Sequence, residues 1–444
     1  MTASIPTSGR PLDDILGDLR AKGTADAKWR EGRVFSLVYH AGEEHEHVVQ
    51  RAHALYASAN LLNPMAFGSL KQIEREIIEM AAGLFHGPPT AVGTVTSGGT
   101  ESILCAVAAY RDRARRKKPW ILWPELVVPT TIHPAFDKAA HYFGVKLVKV
   151  PVGPDYRADV RAMAKAIGWR TIGICASAPQ YAHGVVDPIE ELAALAHKKG
   201  LPMHVDACVG GFILPWLERL GRPVPRWDFR NAGVTSISAD LHKYGYAGKG
   251  ASTLVWRSID DMRHQIFVAT DFPGGIYASP TLLGTRPGGP IAAAWATLQS
   301  FGVAGYLALA KQAADTADRL RAGIVAIPGL VLVGKSDSTI VSYAAIGMNV
   351  YALADRLEAR GWTIDRQQRP ASIHLTVTAN HAPVVDDYLR DLRAAVDEVR
   401  ANPKLAKSGS APMYGMAAKM PVRRLVAGSV RKVIADLYAP GGQS

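Results

Sequence analysis

Two short apolar runs end in side chains of opposite charge, and together they suit one kind of chemistry. Leu201-Pro202-Met203-His204-Val205-Asp206 reads as a buried strand ending in a carboxylate. Ser236-Ile237-Ser238-Ala239-Asp240-Leu241-His242-Lys243 reads as a second strand ending in a lysine. An amine that condenses with an aldehyde cofactor and a carboxylate that keeps a pyridine nitrogen protonated are what a protein must supply to make pyridoxal 5'-phosphate (PLP) an electron sink. Taken singly, a strand-end Asp is more often a helix cap or ion-pair partner, and His-Lys before Tyr244-Gly245-Tyr246 suits a solvated loop. The neighbouring motifs decide between these readings.

Thr96-Ser97-Gly98-Gly99-Thr100-Glu101-Ser102 follows an apolar strand and opens a helix. Glycines let a ligand approach the backbone, and the amides at a helix start favour a phosphate, although a Ser/Gly/Thr turn is also a common cap. Ser238 and His242, which flank the lysine, are placed to close such a cradle. His133, in Thr131-Ile132-His133-Pro134, follows another strand, where its ring could stack on a pyridine; the plain alternative is a histidine at a helix start. Tyr181 and His183 follow a third strand. Most of these polar residues fall at strand exits, where ligands bind in open α/β sheets.

The elements that must position them alternate in type. Strands are expected at Ala91–Thr96, Leu126–Val128, Lys146–Val150, Thr171–Ala176, Met203–Asp206, Ser236–Ala239 and Ser252–Trp256, with helices at Ser102–Lys117, Ala135–Phe143, Val160–Ile167 and Ile189–Lys199. That order predicts an α/β fold with a mostly parallel seven-stranded sheet. Gly/Pro-rich loops at 272–275 and 286–290 lead into a long helix ending near Ile327. Strands at Leu330–Val333, Thr339–Ala345 and Ser372–Val377 then mix with helices at Val350–Arg360 and Val384–Ala401, giving a smaller α+β domain. A last amphipathic stretch covers Val422–Leu437, before a Gly/Gln/Ser tail. The expected division is an N-terminal segment (1–60), a large cofactor-binding domain (61–300) and a small C-terminal domain with its tail (301–444).

Composition bounds the class of protein. With 444 residues, 48% hydrophobic and 20% charged, the chain can bury a large core. Cys105, Cys175 and Cys208 are its three cysteines, which disfavours a disulfide framework, and no metal site is expected. The N-terminus lacks a secretory apolar core, and no run approaches the ~18 apolar residues that span a bilayer, so the protein reads as soluble and cytoplasmic. A net charge of +12 suits a phosphorylated substrate, an anionic membrane or nucleic acid. The densest basic run, Arg111–Lys118, falls at a helix end, where cations complement the backbone dipole, and no stacking aromatics support nucleic-acid binding.

With these motifs in view, the sequence resembles the sphingosine-1-phosphate lyases, fold-type-I PLP enzymes related to the group II amino-acid decarboxylases. The resemblance rests on TSGGTES at 96–102, HVDACVGGF at 204–212, GVTSISADLHKYGYAGKG at 233–250, GGIYASPT at 274–281 and RPGG at 286–289, and runs from about Arg33 through Tyr414-Gly415-Met416. It implies that Lys243 is the Schiff-base lysine, Asp206 the pyridinium partner and His133 the stacking residue. It also implies phosphate contacts from Gly99, Thr100, Ser238 and His242, and a loop bearing Tyr277 and Ser279 contributed by the other subunit of a homodimer. Tyr39, Asn60, Tyr181 and Lys249 match positions associated with the substrate and its phosphate.

Two departures stand out. The family's Asn-Pro-Leu-His block reads Asn60-Leu61-Leu62-Asn63, putting an amide in place of a phosphate-facing His; an amide donates a hydrogen bond but carries no charge. The membrane-spanning N-terminal segment of the eukaryotic enzymes is also missing. The reaction implied is retro-aldol cleavage of a phosphorylated sphingoid base between C2 and C3, giving phosphoethanolamine and a fatty aldehyde, with the base that deprotonates the C3 hydroxyl left open. An amino-acid decarboxylase using the same Asp and Lys is the nearest alternative. A basic protein that binds anionic lipid or nucleic acid without turnover is the second.

Overall fold

Leu126-Val127-Val128 and Ile172–Ala176 are apolar without alternation, the pattern of strands covered on both faces, and Leu126, Val127, Val128 and Ile174 are fully enclosed. The computed structural model describes residues 4–412, 414 and 423–439. Helices α1 (Leu12–Lys22), α2 (Glu43–Leu55) and α3 (Gly68–Leu84) precede the sheet. The main unit then runs β1 (Val92–Thr96), α4 (Gly99–Lys117), β2 (Glu125–Pro129), α5 (Ala135–Phe143), β3 (Lys146–Val150), α6 (Val160–Ala166), β4 (Thr171–Ser177), α7 (Ile189–Lys198), β5 (Met203–Asp206), α8 (Leu214–Arg219), β6 (Val234–Ala239) and β7 (Ser252–Trp256). Its seven strands lie in the order β1-β7-β6-β5-β4-β2-β3. Only β7 runs against its neighbours, β1 and β6. The expected mixed, mostly parallel sheet is therefore present, and β5 and β6 lie side by side at its centre with Asp206 opposite Ser238.

A short helix α9 (Ile259–Met262) and a hairpin of β8 (Phe267–Ala269) and β9 (Tyr277–Ser279) follow. Helix α10 (Gly288–Val325) is interrupted at Gly302, whose φ of 53° and ψ of −169° a side chain would oppose. This helix is long and apolar enough to cross a membrane by length and composition, contrary to the sequence expectation. Here it packs instead against α2, α3 and α8. The small domain comprises β10 (Leu330–Leu332), β11 (Ile340–Ala345), α11 (Val350–Glu358), β12 (Asp365–Gln368), β13 (Ala371–Thr376) and α12 (Val385–Ala401), its antiparallel sheet ordered β10-β11-β13-β12. Helix α13 (Arg423–Leu437) ends the described chain; Gly415, Met416 and the Gly/Gln/Ser tail lie outside the described residues.

The cores do not follow the expected boundaries at 60 and 300. Residue 300 falls inside α10, whose Ala317, Leu320 and Ile324 belong to the small-domain core. Phe35, from the first sixty residues, is fully buried in that same core against Trp362, His381 and Tyr388. Backbone hydrogen bonds from Phe35 to Thr363 and from Thr376 to Phe35 fix the segment there. Truncating Phe35 to Ala would cost about 3–5 kcal/mol by the usual loss of a buried aromatic, so this strap is part of the small domain. It also brings Ser36 and Tyr39 to the junction between the domains.

Candidate active site

Strands β5 and β6 deliver Asp206 and the turn carrying Lys243 to one end of the sheet, and α4 begins beside them. Ser97, Gly98, Gly99, Thr100, His133, Tyr181, Asp206, His242 and Lys243 surround one cavity of about 410 Å³. The chain folds this way locally because β1, β4, β5 and β6 all end in polar turns on the same side, the geometry that puts ligands at strand exits.

Asp206 is buried, and its Oδ1 accepts a hydrogen bond from the Cys208 amide at 3.1 Å, which fixes the carboxylate at the cavity floor. Lys243 is a quarter exposed, and its Nζ lies 2.8 Å from Oδ2 of the buried Asp240. Burial opposes the ammonium charge of Lys243, but the charge and hydrogen bond of Asp240, with Cys208 and Asp206, together outweigh it and hold the proton affinity above the ordinary range. Burial likewise opposes ionisation of Asp240, yet Lys243 and then His242 keep it below the usual carboxylate range. Asp240 stands three residues before the lysine in the sequence, but only the turn after β6 brings the two together.

The cradle at α4 fits a phosphate. A Cβ at Gly99 would come within 2.7 Å of Asp240 Oδ1 and Cys208 Sγ, so this turn can pack on the lysine shelf only as glycine. Nδ1 of His242 is buried with no protein partner, a polar atom left for a bound group. Glu101, whose role sequence reading missed, holds the turn from within: Oε2 accepts from the Ser97 amide at 2.7 Å, and Oε1 accepts from Leu282 and Leu283. His133 accepts the Ala135 amide at Nδ1 (3.2 Å), which sets its ring at the cavity wall. The residues present thus fit PLP: Asp206 for the ring nitrogen, His133 for its face, Lys243 for the aldehyde carbon, and the Gly98–Thr100 turn with His242 for the phosphate.

Tyr39 and Lys249 line an adjoining chamber of about 420 Å³ that shares His242 with the first cavity. Lys249 Nζ lies 5.4 Å from the centre of the Tyr39 ring and donates to the His242 carbonyl at 3.2 Å. Burial, and then the charge of Lys243, push its pKa down to about 8. Tyr181 donates to Asp365 Oδ2 at 2.5 Å, a partner from β12 not legible from sequence, since the polar run Asp365–Gln368 does not read as a strand.

Four expected residues sit elsewhere. Ser238 does not close the phosphate cradle: it is wholly buried, its Oγ shared between His204 Nε2 (3.1 Å) and Cys208 Sγ (3.3 Å), so it braces β5 against β6. Asn60 faces neither cavity, because its Oδ1 accepts from the Leu62 and Arg286 amides. Asn63 is exposed and caps its own loop through the Met65 and Ala66 amides. Ser279 is buried in β9 and donates to the Thr281 and Leu283 carbonyls, away from its own chain's cavity. His183, noted beside Tyr181, is a core residue bonded to Gln180 and stacked on Tyr156, and burial pushes its pKa down to about 4.

A lysine and a buried carboxylate lining one cavity with a phosphate-ready helix start define a PLP-dependent enzyme, and the pyridoxal-dependent decarboxylase conserved domain matches residues 1–346. A sphingosine-1-phosphate lyase of Arabidopsis thaliana is 42% identical over 433 residues, covering 96% of this chain and 79% of that protein. Sphingosine-1-phosphate lyase 1 of Rattus norvegicus is 41% identical over 98% of this chain and 77% of its own length. The solved Burkholderia pseudomallei sphingosine-1-phosphate lyase superposes with a TM-score of 0.89 at 36% identity, covering 99% of this chain and 98% of that one. The chain belongs to the sphingosine-1-phosphate lyase family. Glutamate decarboxylase of Lactobacillus brevis, at 20% identity and a TM-score of 0.78, shares the fold.

Proposed function

We propose that this enzyme cleaves the C2–C3 bond of a phosphorylated long-chain base, releasing phosphoethanolamine and a fatty aldehyde. The observation that carries this reading is the pairing of two cavities at His242: one fits PLP, and the other places the Lys249 ammonium beside Tyr39 where a second phosphate can be met. PLP supplies the electron sink for the bond that breaks. Asp206 would hold the ring nitrogen in its charged form, His133 would hold the ring's face, and Lys243 would bind the aldehyde carbon through its amine and, once displaced by the substrate's amine, return a proton to the reacting carbon. Lys249 and Tyr39 hold the far phosphate and so set which carbon lies over the ring.

A homodimer with shared sites is part of the same reading. Its support is the β8–β9 hairpin, where Phe267, Val268, Phe272 and Ile276 are exposed, and the position of Ser279 outside its own cavity. Asn63, exposed on its loop, is assigned to the phosphate of a neighbouring site in that assembly. Mixing an inactive Lys243 variant with an inactive Ser279 variant would then restore part of the activity, whereas a fully active monomer in sedimentation would refute sharing. The three cysteines, all buried and unpaired, suit a reducing cytoplasm. Product analysis tests the reaction itself: a phosphorylated sphingoid base should yield aldehyde and phosphoethanolamine, and carbon dioxide release from amino acids without aldehyde formation would move the chain to the decarboxylases.

A further inference from the structure

The reading above needs a base for the C3 hydroxyl, and the cavity wall offers a phenol that cannot serve alone. Tyr181 lines the cavity, but burial, and then the charge of Asp365, hold its phenol far above the ordinary range, so a tyrosinate is not at hand near neutral pH. What distinguishes this tyrosine is the group behind it. Its hydroxyl donates to Asp365 Oδ2 at 2.5 Å, while Asp365 Oδ1 lies 3.4 Å from the Ser36 hydroxyl.

The surroundings keep that carboxylate for the phenol. His374, opposite Asp365 in the β12–β13 register, is fully buried and lies ring to ring with Tyr181 at 4.3 Å. Burial lowers its proton affinity, and although the Asp365 carboxylate works the other way, burial is the larger effect and disfavours an ion pair with Asp365. Its Nε2 is taken by the Thr376 hydroxyl at 2.9 Å. Lys243 also acts on Tyr181 through its charge, but that ammonium is paired with Asp240. Tyr39, the other phenol nearby, is likewise held protonated by burial and then by Tyr181.

We propose that Asp365 is the positioning residue that makes Tyr181 the base: Tyr181 takes the C3 hydroxyl proton as it passes its own to Asp365. The proton balance closes within the protein. The substrate O–H breaks and a new O–H forms on Tyr181, whose original proton moves to Asp365 Oδ2. The hydroxyl oxygen's electron pair becomes the second bond of the aldehyde carbonyl, and the pair of the broken C2–C3 bond remains on C2, where the cofactor's sink is required. Because Asp365 comes from the small domain, the base is complete only when β12 lies against the Tyr181 turn.

This inference rests on the lyase reading, and its test separates the two. Asp365→Asn should lower kcat by about 10²–10⁴-fold, the usual worth of a general base, with KM changed less than about twofold. Asp365→Glu, which keeps a carboxylate in reach of the phenol, should restore part of the lost kcat. Tyr181→Phe should lose as much, and the double variant no more than either, since the two act as one unit. In the cofactor-free protein, 3-fluorotyrosine at position 181 should titrate at lower pH in the Asp365→Asn background by ¹⁹F NMR, because the carboxylate's charge is gone. If wild type cleaves the substrate while Asp365→Asn keeps its kcat, or if the fluorotyrosine titration does not move, the inference is wrong. Wild-type protein that cleaves no phosphorylated sphingoid base overturns the lyase reading, whatever the fluorine signal shows. Should Asp365→Asn fail to fold by near-ultraviolet circular dichroism, Asp365→Glu and Tyr181→Phe decide: partial activity in Asp365→Glu with a deep loss in Tyr181→Phe supports the pairing, and full activity in Tyr181→Phe refutes it.

Discussion

The two ends of the active site are built differently. At the cofactor end, Asp206, Asp240, Lys243 and the Gly98–Thr100 turn come from strand ends and a helix start within one sheet, and Asp206, Asp240 and Gly99 are buried. At the end proposed for the substrate, Tyr39 comes from the strap that Phe35 anchors in the small domain, Tyr181 leans on β12, and Lys249 sits on a loop over the second chamber. The first region is fixed by hydrogen bonds and close contacts that leave no room for change, as the 2.7 Å approach at Gly99 shows. The second depends on how two domains meet. On the proposed assignment, chemistry common to many PLP enzymes sits in the half built from one sheet, and choice of substrate in the half that domain placement can tune.

Substitutions should sort along the same line. Lys243→Ala has the largest expected effect: turnover and the visible absorbance of lysine-bound PLP both vanish, and a borohydride-reducible covalent adduct surviving in that variant would remove Lys243 from its role. Asp206→Asn should leave the fold intact by circular dichroism but lower kcat by orders of magnitude, because a neutral amide cannot hold the ring nitrogen protonated; wild-type rates would show that the floor of the cavity is not electrostatic.

The substrate end should respond in affinity and pH. Burial, and then the Lys243 charge, lower the pKa of Lys249 to about 8, so if it meets the phosphate, kcat/KM for a phosphorylated substrate should fall as pH rises through that region. Lys249→Met should abolish the fall and sit roughly ten- to a hundredfold lower at pH 7, the loss of one charge-assisted contact. A profile in which the variant still falls near pH 8 would assign the titration to another group. The smallest effect is expected at Asn63: if its loop meets a neighbouring subunit's phosphate site, Asn63→His lowers KM by up to about tenfold, or about 1.4 kcal/mol, with kcat unchanged. A change in kcat alone would place Asn63 nearer the reacting bond and blur the division between the two ends.

Local sequence determined the cofactor half. Short β-prone runs alternating with longer helical patterns read as strands of one mostly parallel sheet, so the ends of β1, β5 and β6, with their Gly-rich turn, Asp206 and Lys243, were placed on one side of it. Tertiary structure decided the rest. Ser238 has the type and spacing of a phosphate ligand, but strand alternation turns its side chain into the interior, onto His204. Asp240 reads as one more polar residue before the lysine, and only the turn after β6 makes it the lysine's ion-pair partner. Asp365 lies 184 residues from Tyr181 in a polar strand with no apolar pattern to announce it. Periodicity reports what each segment buries, whereas a hydrogen bond between domains depends on how the buried faces of both happen to pack, and no single segment carries that information.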